Sequence, residues 1–158
     1  MKYCLLFVSL IFLAVACEPP ASSSEQYQYE LANFIELKKD PCFGTCPVYS
    51  IKINGTGEAV YNGKRNVSKE GTWYRILSPA EANELFMAFE ASNFWDFKNE
   101  YTAPVTDLPT TWVTFVLGEK SKTIKDYYGA PESLNSLEAM VEKIAEDEEN
   151  WKRELSID

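Results

Sequence analysis

Cys42 and Cys46 stand in the densest chemical motif of the chain, Asp40-Pro41-Cys42-Phe43-Gly44-Thr45-Cys46-Pro47. Three uses fit two thiols at C-x3-C spacing. A disulfide would close a small ring, with Gly44 at its centre supplying the backbone freedom that a tight ring needs. A redox pair would more often be C-x-x-C at a helix N-terminus, where the first thiol's pKa falls. Here Pro47 and a strand-like run follow instead. Metal binding would need further ligands, because two thiolates are half of a tetrahedral zinc shell and the chain contains no His. The absence of His also removes His-based catalytic triads and the C-x-x-C-H attachment of c-type haem. No coherent catalytic set emerges, and no cofactor or metal is expected.

Cys17 carries a different chemistry. Lys2 precedes an apolar stretch from Leu5 to Ala16, interrupted only by Ser9. The stretch is too short to span a bilayer, which takes about 20 residues, and it has the length of a signal-peptide core. It ends Leu13-Ala14-Val15-Ala16-Cys17, small residues before a Cys, similar to the bacterial lipobox although Ala14 stands where Leu is usual. The expectation is cleavage after residue 16 and a lipidated Cys17, with an ordinary secretory signal as the alternative. Glu18 to Glu25, EPPASSSE, reads as a flexible tether. Residues 1–16 are thus read as signal peptide, 17–27 as lipidated Cys and tether, and 28–155 as one domain. The expected place is the bacterial cell envelope, in the outer membrane through the N-terminal lipid. Export would also supply an oxidising compartment for Cys42 and Cys46, since Cys4 leaves with the signal and Cys17 takes the lipid.

The 158 residues carry a formal charge of -9 and a pI near 4.6. Nucleic acid is therefore excluded as a partner, because phosphate binding requires Lys/Arg patches. Glu90 and Asp96 do not make a demonstrable glycosidase pair. Glu146-Asp147-Glu148-Glu149 lacks the alternation and Gly of a calcium loop and reads as a solvated helix surface. Asp107, beside Pro109, reads as a turn cap or a ligand-orienting carboxylate.

The elements that must position these groups follow from periodicity. Phe34 to Lys38 is a first strand, broken by Asp40-Pro41. Val48 to Ile53, VYSIKI, alternates, with Tyr49, Ile51 and Ile53 on one side. After the turn Asn54 to Gly57, Glu58 to Tyr61 returns and is closed by Asn62-Gly63. Thr72 to Leu77 is a fourth strand. Ser78-Pro79-Ala80-Glu81 is a capping box with Pro at the first helical position, followed by Ala82, Leu85, Phe86 and Phe89 on one face. Phe94, Trp95 and Phe97 are expected to cover the core. Asn99 to Pro109 is a loop. Thr111 to Leu117 and Lys120 to Tyr127 form a hairpin around Gly118-Glu119. Pro131 opens a second helix at its first position, with Leu134, Leu137, Val141, Ile144 and Trp151 in one stripe. The order β-β-β-β-α-β-β-α predicts an α+β fold: a mostly antiparallel sheet of about six strands with two helices on one face. Most of the strand aromatics should be core. Any on an open sheet face could stack on sugars or bind a protein.

Cys42-Phe43-Gly44-Thr45-Cys46-Pro47-Val48-Tyr49, followed by Gly57, Tyr61 and Gly63, resembles an uncharacterised family of bacterial exported proteins and lipoproteins of Bacteroidetes type with a C-F-G-x-C-P-x-Y signature. Gly71, Ser78, Asp107 and Pro109 are further similar landmarks, and the resemblance spans about Ile35 to Trp151. It implies a domain of unknown function and a role for Phe43, Gly44, Pro47, Tyr49 and Asp107 that the resemblance does not specify. The leading expectation is a lipid-anchored, non-catalytic binding or scaffolding domain with an envelope protein or glycan partner. The alternatives are a thiol-disulfide protein using Cys42 and Cys46, and a carboxylate-based envelope hydrolase.

Overall fold

The computed structural model describes residues 26–153; Cys17, the expected signal and most of the tether lie outside them. One eight-stranded sheet is backed by two helices. The strands are β1 (Phe34–Lys39), β2 (Val48–Asn54), β3 (Glu58–Arg65), β4 (Gly71–Ile76), β5 (Glu100–Tyr101), β6 (Thr111–Leu117), β7 (Lys120–Asp126) and β8 (Lys152–Arg153). The helices are α1 (Pro79–Ala91) and α2 (Glu132–Glu146). The spatial order is β5-β7-β6-β1-β2-β3-β4-β8, antiparallel throughout except for β5 beside β7. The fold is therefore α+β, as expected, but with eight strands rather than about six. The two additions are two-residue edge strands, held by pairing alone, with no alternation to announce them. One of them, β5, lies inside the segment expected to be loop.

Strand alternation builds the core. Residues directly opposite on paired strands share a face. Ile35 faces Ile53 and Phe115, Leu37 faces Ile51 and Val113, and Val113 faces Ile124. All seven are fully buried. Both helices contribute to this same cluster: Ala82, Leu85, Phe86 and Phe89 from α1, and Leu134, Leu137, Val141 and Ala145 from α2. The opposite face carries Phe34, Trp112 and Tyr74 among polar residues, so these aromatics are not core.

The ends of the elements have local causes. Ser78 caps α1 with both halves of the capping box formed, and Asn93 in the left-handed region follows its C-cap. Phe94 is fully buried against Phe89 and Phe115. Pro131 is the N-cap of α2 rather than its first helical residue. α2 stops at Glu146, so Trp151 belongs to the following segment, where it packs on Tyr61 and leads into β8. β3 does not close at Asn62-Gly63 but runs on to Arg65. Gly63 allows this: a Cβ there would lie 1.8 Å from the Lys69 carbonyl oxygen, so only glycine lets the chain after β3 fold back so closely. Among the described residues no helix is long and apolar enough to cross a membrane.

Candidate functional site

The Cys motif forms the loop between β1 and β2, at the end of the sheet where β6 begins and β7 ends. Asp40 anchors its entry. The Asp40 amide donates to the Thr110 carbonyl at 2.9 Å, Trp112 Nε1 donates to Asp40 Oδ2 at 2.7 Å, and Lys38 Nζ pairs with Oδ1 at 2.7 Å. Burial alone would raise this carboxyl, but the bonds from Lys38 and Trp112 outweigh it and hold Asp40 below the usual carboxylate range. Cys42 and Cys46 come together with disulfide geometry, their Cα atoms 5.8 Å apart. Phe43 projects from the ring and is 94% exposed. Gly44 is not in the left-handed region, and a Cβ there would meet only Cys42 Sγ at 3.8 Å. The ring therefore does not depend on glycine freedom at its centre, contrary to the expectation from sequence.

The second half of the motif turns inward. Pro47 and Tyr49 line a cleft of about 200 Å³ together with Tyr61, Asn66, Lys69 and Glu146. Asn66 Nδ2 donates to the Cys46 carbonyl at 3.1 Å, tying the ring to the wall of the cleft. Tyr49 and Tyr61 stack with centroids 5.2 Å apart, and Trp151 lies against Tyr61 at 5.8 Å. Tyr49 is 3% exposed, and its hydroxyl has no hydrogen-bond partner among the described residues. Burial, reinforced by Glu142 and Glu146, raises its pKa and keeps the hydroxyl neutral. Burial and Glu146 push Tyr61 up to about 12. Lys69, also in the lining, is buried, its Nζ donating to the Asp147 carbonyl at 2.8 Å and lying 5.6 Å from the Tyr61 ring.

A row of polar groups runs along this end beneath α2. Asp126, Thr111, Lys39 and Tyr49 oppose one another on neighbouring strands, and Glu138, Glu142 and Glu146 recur every four residues along the helix above them. Lys39 Nζ pairs with Glu142 Oε1 at 2.7 Å. Glu138 is buried, and neither its Oε1 nor Asp126 Oδ1 has a hydrogen-bond partner among the described residues. Burial, with Asp126 and Glu142 nearby, raises the Glu138 pKa to about 8 against the relief of Lys39. Burial also raises Asp126. The arrangement can hold a proton on buried Glu138, near the half-buried Asp126, and beside it a neutral phenol, aromatic rings and carboxylates border a small cleft.

The remaining sequence-derived candidates lie elsewhere. Asp107 sits in the exposed loop before β6 with φ 70°, accepting from Thr106 Oγ1 at 3.2 Å. Glu90 accepts from the Tyr29 hydroxyl, in no hydrogen bond with Asp96. Asp147 is not simply a solvated helix residue: it is the C-cap of α2 and accepts from Arg75. Among the described residues no group of three or more metal-ligating side chains could hold an ion. Sequence reasoning missed Lys39, Lys69, Asp126, Glu138 and Glu142. The available signal was the four-residue spacing of Glu138, Glu142 and Glu146 beside the apolar stripe of α2.

Fold and site together define a small α+β domain in which a Cys-closed loop and an aromatic, acid-bordered cleft share one end of the sheet. The chain belongs to the family described as domain of unknown function DUF6438, which matches residues 33–145. No curated protein matches it.

Proposed function

We propose that this is a lipid-anchored cell-envelope protein whose domain is a non-catalytic binding module, with the Cys-loop end as its recognition surface. The observation that carries the reading is Phe43, a large apolar side chain almost wholly in water at the tip of a five-residue ring. Aromatic anchors dominate binding energy at protein interfaces, and Phe43 is presented on a closed ring rather than on a free loop. Closing the ring lowers the ordering entropy that docking must overcome. Lys2, the apolar run to Ala16 and Cys17 support the anchor, and the tether after Cys17 gives the domain reach from the bilayer. The favoured partner is an envelope protein, because one projecting aromatic fits a protein pocket better than the flat stacking of a glycan chain.

The test is a photo-crosslinking residue at position 43 in cells, followed by mass spectrometry. A single dominant adduct that disappears with the ring-opened double variant Cys42→Ser/Cys46→Ser is expected. Adducts no different from those of a control position such as Glu119 would overturn the reading. A second reading has one supporting contact: the Gly44 amide donates to Cys42 Sγ at 3.2 Å, an interaction that would favour a thiolate. A thiol-disulfide role on that basis requires ready reduction by a glutathione buffer.

A further inference from the structure

We propose that the cleft bordered by Tyr49, Tyr61 and Glu146 receives an alkylammonium or guanidinium group on a slim chain. This deepens, and rests on, the reading of the Cys-loop end as a recognition surface.

Size comes first. About 200 Å³ is below the range of clefts that enclose drug-sized ligands and suits one extended side chain. Shape and chemistry then select the charge. The stacked rings of Tyr49 and Tyr61 offer the negative π-surface that attracts cations. Glu146 stands exposed at the rim and makes no ion pair among the described residues, whereas Glu142 is matched by Lys39 and Asp147 by Arg75. Tyr49 contributes a buried hydroxyl that no described group satisfies, and an unpaired buried polar group is costly until something pairs it. Of the residues lining the cleft, Glu146 is the acid and Lys69 the base; the Lys69 charge is already engaged by Glu148, Asp147 and Glu146, and Glu142 adds a further negative charge near Tyr49, so the field disfavours an anion. Lys69 itself shows that this wall accepts an ammonium group: its Nζ lies near the Tyr61 ring and donates to the Asp147 carbonyl. The motif's composition gains a reason here. Pro47 and Tyr49 line the cleft themselves, and Cys46 is tied to a third lining residue, Asn66, through its carbonyl.

The group could belong to a free amine or to a basic side chain of the bound partner, and the experiment separates them. The ¹⁵N-labelled protein is titrated with butylammonium, with the peptide Gly-Lys-Gly and with its uncharged norleucine counterpart, following amide shifts. Saturable shifts centred on Tyr49, Tyr61, Asn66 and Lys69 are expected for both charged probes, with a Kd on the order of 1 mM, as befits one charged group. Tighter binding of the peptide assigns the site to a partner side chain, and equal binding assigns it to a free amine. Glu146→Gln, an exposed change that leaves the fold intact, should weaken binding about tenfold. Tyr49→Phe should weaken it in the same direction. Shifts that are absent, that norleucine reproduces, or that Glu146→Gln leaves unaltered overturn the assignment. A failed titration with crosslinks from position 43 intact removes this inference alone; loss of specific crosslinks with the titration intact removes the recognition role and leaves a cation cleft.

Discussion

Arg75 Nη1 lies 2.6 Å from Asp147 Oδ2, joining the fourth strand to the C-cap of the second helix. The other arm of the same buried guanidinium reaches Glu81 Oε1 at 2.7 Å, within the capping box of the first helix. One side chain thereby pins the start of α1 and the end of α2 to the sheet. Glu81 is pushed up by burial, but the Ser78 bonds and Arg75 outweigh this and hold it below the ordinary carboxylate range. Arg75→Ala should lower the melting temperature by several degrees, more than Glu81→Gln or Asp147→Asn alone, since it leaves two carboxylates facing an empty site. Arg75→Lys should recover less than half of the loss, because an ammonium cannot span both acceptors in the fork geometry of a guanidinium. Thermal melts of the four variants, followed by circular dichroism, check the order.

Glu138 gives the protein an unusual pH dependence. Its folded pKa of about 8 stands above the ordinary 4.5, so the folded state holds a proton that the unfolded chain releases. Stability from this group is complete below about pH 4.5 and is lost as pH rises toward 8. The slope contributed by one proton is at most about 1.4 kcal/mol per pH unit. Asp126 on β7 acts in the same direction; Lys39 on β1 opposes it. Asp40 and Glu81, both lowered, contribute stability that disappears on acidification through their folded pKa values. Glu138→Gln should flatten the decline between pH 5 and 8 and make the variant the more stable protein at pH 8. Urea unfolding at several pH values measures it, and parallel curves for wild type and variant would refute it.

The Cys ring should shape its loop more than it stabilises the domain. For a loop this short, chain entropy gives about 2 kcal/mol, so Cys42→Ser with Cys46→Ser should leave a folded protein weakened by that amount. Thiol alkylation and mass measurement on protein purified from its native host without reductant should find both sulfurs protected. Gly44→Ala should change stability by no more than about 0.5 kcal/mol, since the added methyl meets only Cys42 Sγ.

Gly63→Ala should be far worse than Gly44→Ala. The new Cβ would overlap the Lys69 carbonyl oxygen, and that backbone belongs to the turn which lines the cleft. The expected result is a large fall in urea midpoint together with shifted resonances for Asn66 to Lys69. A Gly63→Ala protein as stable as wild type would mean that the close approach of β3 and this turn is not required.

Cys17→Ser tests the anchor. The variant should leave the membrane fraction as a processed domain or accumulate as uncleaved precursor. Membrane partitioning of Cys17→Ser at the mature size would show that lipid at this position is not what holds the protein.

Much of the fold is legible in the chain because its causes are local. The alternation of VYSIKI sets which side of β2 is buried, and Ser78-Pro79-Ala80-Glu81 carries its own cap chemistry. The hairpin at Gly118-Glu119 also forms where the sequence places it, with Gly118 at φ 58°. The edge strands β5 and β8 escape such reading, because two residues have no period and pair only where a neighbour's edge is available.

The site divides in the same way. The sequence determines the motif from Cys42 to Tyr49, the spacing that brings two thiols within reach, and the four-residue recurrence of Glu138, Glu142 and Glu146. Tertiary structure decides that α2 crosses the end of the sheet, setting those carboxylates over Asp126, Lys39 and Tyr49, which come from three separate strands. It also decides that Trp151, in helical register with α2, leaves the helix to pack on Tyr61. The reason is physical: a desolvated carboxylate, an unpaired hydroxyl and a cleft are properties of surfaces brought together across long sequence separations, whereas periodicity and capping act within a few residues.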